Sequence, residues 1–311
     1  MQSISQTEKI QSSFKRMLSV SNISSELGSK KTSTQRLIND NYIKNMFDMS
    51  NFETRIPHWG GKIVDENNND IGMIIVNIFT IDNLLLAMWV CAKLNRSIIN
   101  LIPLKPIIRI INSIEMNEWN KAKSIWLKEI LYEYFDFDCT CSECAPLFKN
   151  RTINTFGSEY EFFLEPIINL QKYSLTSHCS STCLSKNITK DSVSLIFEKQ
   201  NGIVSLILSK KNICNSCKCQ YSSELKFLKN PPWIFIQTSG KKMITVEDLP
   251  HVLLISNKNY QLLCVSIYRT NHFRSIYLLN NSYFLVDLKP TSFNDKIPKI
   301  KVVTCFYYLI E

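Results

Sequence analysis

The spacing of apolar residues changes partway along this chain, and this change limits the possible folds more than any other feature. In the first half, apolar residues recur at helical spacing over residues 80–94 and 117–135, and a further helix is predicted over 160–170, interrupted at Pro166. In the second half, short β-rich runs are predicted at 192–197, 203–208, 232–238, 251–255, 260–268, 275–279, 283–287 and 302–309. Helices followed by an antiparallel sheet make an α+β fold, which we expect rather than βαβ alternation.

Residues 71–92 are long and apolar enough to resemble a membrane span. However, Asn77, Asp82 and Asn83 lie near the centre, and an Asp there costs roughly 2.5–3.5 kcal/mol on insertion scales. A buried strand, a polar turn and a core helix explain the same residues without that cost. We therefore expect no contact with a membrane.

The composition excludes several classes of function. Only 7 of the 311 residues are Gly and no Gly-rich phosphate-binding motif occurs, so nucleotide chemistry is not expected. The net charge of +9 falls short of a nucleic-acid footprint, so nucleic acid is not the expected partner. The chain has 11 Cys and a start without the apolar core of a signal peptide. These features indicate a reducing compartment, cytoplasmic or nuclear, where paired cysteines point to metal.

The amino-terminal part of the chain differs from the rest in composition. Its first 40 residues or so are basic, rich in Ser and poor in aromatic residues, which is typical of a segment that cannot bury enough surface to order itself. From residue 56 the composition predicts two short strands around an Asn/Asp-rich turn, and Gly60 and Gly61 allow a tight bend. We expect a flexible tail over 1–55 and one folded domain over 56–311.

Two groups of cysteines flank a predicted hairpin. The runs 192–197 and 203–208 are joined across Asn201 and Gly202, a strong signal for a two-residue hairpin turn. One cysteine pair precedes the hairpin and another follows it, so its two ends would bring four thiolates together. A zinc ribbon has this arrangement, with Zn–S distances of about 2.3 Å. The predicted zinc ligands are Cys179, Cys183, Cys214 and Cys217.

The ligand set leaves alternatives open. Cys219 or His178 is able to replace a neighbouring ligand, and the whole cluster is also compatible with reduced thiols packed as small apolar side chains. A second group, Cys139, Cys141 and Cys144, has only three thiols. It is either a second metal site or a set of ordinary loop cysteines, and we favour the latter.

A histidine and an aspartate lie at the ends of two predicted neighbouring strands. His272 opens one strand, and Asp287 closes the next. Across an antiparallel pair these residues can meet, as a general base and its orienting carboxylate must. Taken alone, such a pair is more often structural than catalytic.

Four segments, in order along the chain, resemble the sequence boxes of the ubiquitin-specific protease superfamily of cysteine isopeptidases. VNIFTIDNLLLAMW resembles the Cys box, which opens the central helix, and FGSEYEFFLEPI resembles the next box, with Glu161 and Phe162 on its Glu-Phe pair. NPPWIFIQTSG resembles the strand leading into the ubiquitin-facing sheet, and NHFRSIYLLNNSYFLVD resembles the His box. The resemblance runs from about Trp59 to Glu311 and is closest to a compact branch of SUMO-directed and mobile-element-associated isopeptidases.

The resemblance implies a papain-like fold with a helical thumb, zinc-bearing fingers at about 175–222 and an antiparallel β palm. It also implies a ubiquitin or SUMO-type modifier as the partner. In the site, His272 and Asp287 fall on the base and its orienting acid. The nucleophile belongs two residues after Asn77, where this chain has Phe79.

The missing nucleophile indicates a loss of catalysis. A phenyl ring cannot attack a carbonyl, whereas this mechanism needs a thiolate at the start of the helix. Cys91 lies twelve residues further along, roughly 18 Å at 1.5 Å per residue. The resemblance also implies a polar side chain, a few residues before the nucleophile, that helps hold the oxyanion, but Met73 and Ile74 occupy that stretch.

Three functions are therefore compared. The first is a catalytically inert isopeptidase-like domain that binds a ubiquitin or SUMO-type modifier. The second is an active isopeptidase that uses a thiol from the loop of Cys139 to Cys144. The third is a zinc-stabilised nucleic-acid-associated protein that uses the basic tail. We expect the first.

Overall fold

The structure is a computed structural model that describes residues 47–132, 151–179, 188–192, 195–207, 217, 222–269, 272–287, 290–292 and 299–310. Within this part of the chain, the α-helices are α1 (Met49–Thr54), α2 (Phe79–Leu94), α3 (Lys105–Glu115) and α4 (Trp119–Ile125). Short helical turns of other types cover Arg96–Leu101, Trp126–Ile130, Tyr160–Leu164, Glu165–Gln171 and Val246–Asp248.

The strands of the described residues form three sheets. The first seven strands are β1 (Gly61–Val64), β2 (Asp70–Val76), β3 (Thr152–Asn154), β4 (Tyr173–His178), β5 (Ile188–Ser192), β6 (Leu195–Gln200) and β7 (Ile203–Ile207). The others are β8 (Ser222–Phe227), β9 (Trp233–Thr238), β10 (Val252–Ile255), β11 (Lys258–Arg269), β12 (His272–Leu279), β13 (Ser282–Val286), β14 (Pro290–Ser292) and β15 (Val302–Ile310). The predicted α+β class is confirmed, and each predicted β-rich run overlaps a strand.

The largest sheet places the carboxyl-terminal half against the helices. Its strand order is β14-β13-β12-β11-β15-β9-β6-β7, with β10 paired to β11, and only β6 and β9 run parallel. Because side chains alternate across a strand, Phe235 and Phe306 pack with the helices, whereas Ile236 and Tyr307 join an apolar cluster on the opposite face. The sheet is therefore covered by apolar clusters on both faces.

Helix α2 is the central element of the helical half. All side chains from Thr80 to Ala92 are buried, as expected for a helix surrounded by the core. It follows β2 after a sharp turn at Asn77, which has φ +58°. The predicted strand, polar turn and core helix over 71–92 are thus confirmed. Within the described residues, no helix has the length and apolar composition needed to cross a bilayer.

The folded unit begins earlier than residue 56. Asp48 caps α1 by accepting hydrogen bonds from the backbone N–H groups of Ser50 and Asn51. Phe52 is fully buried and packs edge-on against Tyr277, with ring centroids 5.3 Å apart. Helix α1, which we expected to lie in the flexible tail over 1–55, is therefore packed against the core in the part of the chain that the structure describes.

The predicted hairpin is present but has a different neighbour from the one expected. Asn201 and Gly202 have φ of +50° and +80°, as a two-residue turn between β6 and β7 requires. Yet β6 pairs with β9 in the large sheet, so this hairpin extends that sheet. A separate three-stranded sheet, β5-β4-β8, carries the described cysteines of the expected fingers.

Candidate functional site

Three aromatic rings meet where α2 begins. Phe79 is the first residue of α2, His272 is the first residue of β12, and Trp59 lies in the chain that leads into β1. The ring centroids of Phe79 and His272 are 4.3 Å apart, at an interplanar angle of 75°. The ring centroid of Trp59 lies 3.8 Å from that of His272 and 4.4 Å from that of Phe79. Each ring therefore contacts both of the others, at distances typical of packed aromatic groups.

The turn between β2 and α2 sets the position of Phe79. Asn77 adopts a left-handed backbone conformation, which Asn tolerates better than most residues. Its side-chain amide donates a hydrogen bond of 2.9 Å to Asn154 Oδ1 at the end of β3. The chain thus leaves the strand and enters the helix within two residues, and the side chain at position 79 faces β12.

The β12–β13 pair brings His272 and Asp287 together. His272 Nε2 lies 3.4 Å from Asp287 Oδ1, which is longer than an ordinary N–H···O hydrogen bond. Arg274 holds the same carboxylate more closely, with Nε 2.9 Å from Oδ2. Arg274 follows His272 by two residues on one strand, so the strand period alone places both side chains on the same face of the sheet.

The surroundings of the imidazole favour its neutral form. Burial lowers the pKa of His272, and the Arg274 guanidinium acts in the same direction, while the Asp287 carboxylate opposes both. A neutral imidazole beside a carboxylate is the arrangement of a general base. Here the group facing it at position 79 is a phenyl ring, which has no proton to give and no lone pair with which to attack.

The described thiols of the core are not activated as nucleophiles. Cys91, Cys264 and Cys305 are buried, and burial raises the pKa of each well above its usual value. None of the three is hydrogen-bonded to His272 Nε2. A thiol that remains protonated is a poor nucleophile. The loop cysteines Cys139, Cys141 and Cys144 lie outside the described residues.

Two of the predicted zinc ligands meet in the structure. The Sγ atoms of Cys179 and Cys217 are 3.1 Å apart, too far for a disulfide bond. Two sulfurs on one tetrahedral zinc at about 2.3 Å would lie ~3.8 Å apart, so the observed spacing is shorter than that of a loaded site. No group of three or more potential ligands occurs among the described residues. Cys183, Cys214, Cys219 and the side chain of His178 lie outside them.

The strand pairing that joins these two cysteines differs from the expected one. Cys179 follows β4 directly, Cys217 precedes β8, and the β4–β8 register pairs His178 with Ser222. The β6–β7 hairpin, to which we attributed the meeting of the cysteine pairs, belongs to the other sheet. Local sequence identifies a hairpin but not the long-range pairing of β4 with β8.

Sequence reasoning also missed Trp59 as a member of the site. The only signal was the Trp-Gly-Gly at the start of the domain, which carries no information about distant contacts. In the structure, the Trp59 indole Nε1 donates a hydrogen bond of 3.2 Å to the backbone oxygen of Asp287. This contact joins the start of the domain to the end of β13.

No protein-family model matches the sequence, and no curated protein matches it. Among solved structures, a chain of the SAGA DUB module of Ubp8, Sgf11, Sus1 and Sgf73 bound to monoubiquitin is similar at 12% identity, over 83% of this chain and 70% of that one, with a TM-score of 0.43. The module bound to ubiquitin aldehyde gives 11% identity, 83% and 71% coverage, and a TM-score of 0.43. A yeast SAGA DUB module is similar at 11% identity, over 86% of this chain and 72% of that one, with a TM-score of 0.35. These values are too low to assign a family.

Proposed function

We propose that the chain is an isopeptidase-like domain of the ubiquitin-specific protease type that has lost catalysis and binds a ubiquitin or SUMO-type modifier. One observation carries this proposal. The phenyl ring of Phe79 stands at the start of the central helix against an imidazole–carboxylate pair, 4.3 Å from the His272 ring. We therefore infer that the site keeps the base and the carboxylate that would assist a nucleophile, while the side chain between them and the helix is a phenyl ring that cannot act as a nucleophile.

The order of elements supports the papain-like plan. The segment resembling the Cys box opens α2, and the segment resembling the His box forms β12 and β13. In this plan the helices around α2 are the thumb and the nine-stranded sheet is the palm. The three-stranded sheet with Cys179 and Cys217 then takes the place of the fingers.

Zinc in the fingers is a further part of the proposal. Cys179 and Cys217 supply two neighbouring sulfurs, and Cys183 and Cys214 would complete a tetrahedral set. Cys219 or His178 is the alternative fourth ligand. Purified protein should contain about one zinc ion per chain by atomic absorption. Cys179→Ser should lose most of it, and Cys305→Ser, a change in the core, should not. A zinc-free wild-type protein would contradict this part.

Electrophilic modifier probes test the loss of catalysis. Ubiquitin and SUMO derivatives with a reactive carboxyl terminus should form no adduct with the wild-type protein, because the side chain that faces His272 at position 79 is a phenyl ring. An adduct that maps to Cys139, Cys141 or Cys144 would instead establish an active enzyme with an unusual nucleophile.

Binding is tested separately from chemistry. Unmodified ubiquitin and SUMO are titrated against the immobilised full chain, and saturable binding of one of them is the expected result. The absence of binding by both, together with the absence of adducts, would reject the modifier as partner.

A further inference from the structure

We infer that Trp59 fills, from within the same chain, the place that the last residue of a modifier would have to occupy in a catalytic complex. Any modifier is then bound without its carboxyl terminus entering the site. This inference rests on the proposed function for the identity of the partner, but the position of Trp59 is testable without one.

The first step is the requirement of the chemistry. An isopeptidase cuts the bond at the carboxyl terminus of the modifier, so the acyl carbon must approach the nucleophile to about 3–3.5 Å. The nucleophile itself must stay within hydrogen-bond reach of His272, so that carbon would lie beside the side chain at position 79 and the imidazole, in contact with both. The backbone of the modifier's last residue would lie beside both.

The second step is the absence of space. A peptide group inserted between two rings needs a van der Waals contact of about 3.5–4 Å on each side, or ~7–8 Å between the rings. The Trp59 centroid lies 3.8 Å from that of His272 and 4.4 Å from that of Phe79. The spacing between Trp59 and each of these two rings is therefore about half of what an inserted peptide group needs.

The third step is how firmly Trp59 is held. Lys123 Nζ donates hydrogen bonds to the backbone oxygens of the residues on either side of Trp59, at 2.8 Å to His58 and 2.5 Å to Gly60. The same ammonium group lies 2.9 Å from Asp82 Oδ2, and the two side chains are only 1% and 2% exposed. Because Asp82 lies in the first turn of α2, this buried pair ties the loop of residues 58–60 to the helix that carries Phe79.

Two further contacts fix the loop. Gly60 has φ +79°, and a Cβ there would lie 3.0 Å from the backbone oxygen of Ile75, so the bend requires glycine. On the far side, the indole Nε1 donates to the backbone oxygen of Asp287. Trp59 is therefore a built element of the site, with Lys123 as its positioning residue.

Carbethoxylation of histidine tests the occlusion. Diethyl pyrocarbonate is applied to the full chain, and modification is mapped by mass spectrometry for His272 and for His251, an exposed histidine that serves as the internal reference. In the wild type we expect His272 to react about tenfold more slowly than His251. Trp59→Ala should remove most of this protection, whereas Trp59→Phe, which keeps a ring in place, should retain it.

A second pair of variants tests the anchor. Lys123→Met should expose His272 to the reagent in the same way as Trp59→Ala, and Lys121→Met, on the outer part of the same helix, should not. The NMR titration of His272 gives an independent readout, because removal of the indole should raise its depressed pKa. Equal rates for His272 and His251 in the wild type, or unchanged protection in a folded Trp59→Ala protein, would overturn the inference.

The effect on partner binding is tested with ubiquitin and with a form of ubiquitin shortened at its carboxyl terminus. We expect the two to bind the wild-type chain with dissociation constants within about twofold of each other, since the terminus makes no contact in the site. A loss of about tenfold on shortening would overturn the inference. If neither form binds, the proposed function fails, and the histidine measurements still decide the position of Trp59.

Discussion

Glu159 offers a quantitative test of the packing between the helical half and the sheet. Its side chain is buried, it accepts a hydrogen bond from the Ser266 hydroxyl on β11, and it lies close enough to Thr304 on β15 to be affected by that hydroxyl. Burial raises the pKa of Glu159 from 4.5 to about 7, although both hydroxyls act to lower it. The carboxyl group is therefore easier to protonate in the folded chain than in the unfolded chain.

The sign of the effect on stability follows from this difference. Between pH 4.5 and about 7 the folded state binds more protons at Glu159 than the unfolded state does, so the free energy of unfolding falls as the pH rises. Each pKa unit corresponds to about 1.36 kcal/mol, which gives a loss of about 3 kcal/mol across the whole window. The stabilising contribution is complete below pH 4.5 and has been lost above pH 7.

Glu159→Gln isolates this contribution because glutamine has nearly the same shape and does not titrate. Urea unfolding of both proteins is followed by circular dichroism from pH 4.5 to 8. The difference in free energy of unfolding, wild type minus variant, should fall by about 3 kcal/mol over this range. The neighbouring thiols Cys264 and Cys305 do not interfere, because burial raises their pKa well above the range.

Glu53→Gln, at an exposed position on α1, is the matched control for the loss of a carboxylate. Parallel profiles for the wild type and Glu159→Gln would show that Glu159 is hydrated, and the buried position described for it would then be rejected.

Three further substitutions test other parts of the structure. Lys123→Met should lower the free energy of unfolding by about 3–5 kcal/mol in urea unfolding, because it leaves a buried carboxylate without its partner. Gly157→Ala should destabilise by about 1–3 kcal/mol in the same assay, since its Cβ would lie 2.0 Å from the ring of Phe162. Phe79→Cys combined with Trp59→Gly should gain adduct formation with a ubiquitin electrophile, because a thiol then meets an accessible imidazole.

Each of these predictions has its own control. Lys121→Met should change stability by less than about 0.5 kcal/mol, since its side chain is partly exposed. Phe162→Leu should relieve part of the loss caused by Gly157→Ala if the ring is the obstacle. Phe79→Ser in place of Phe79→Cys should give no adduct, and an adduct in that variant would place the reactive thiol elsewhere.

The sequence alone determined the elements and much of the site. Strand and helix periods depend on residues two to four positions apart, so the helix after Asn77, the turn at Asn201 and Gly202, and most strands of the second half were predictable, whereas β4, β8 and β14 were not predicted. His272 and Asp287 were expected to meet because consecutive antiparallel strands place the start of one beside the end of the next. The phenyl ring at position 79 was read directly from the sequence.

Only the tertiary structure determined what surrounds that ring. Lys123 and His58 are 65 residues apart, and Trp59 and Asp287 are 228 apart, so no local pattern links them. The same holds for the contact of Phe52 with Tyr277, which packs α1 against β12, and for the β4–β8 pairing. Such contacts form only when whole helices and strands pack together. Packing then buries polar groups that lie far apart in the sequence, and these groups must find hydrogen-bond partners.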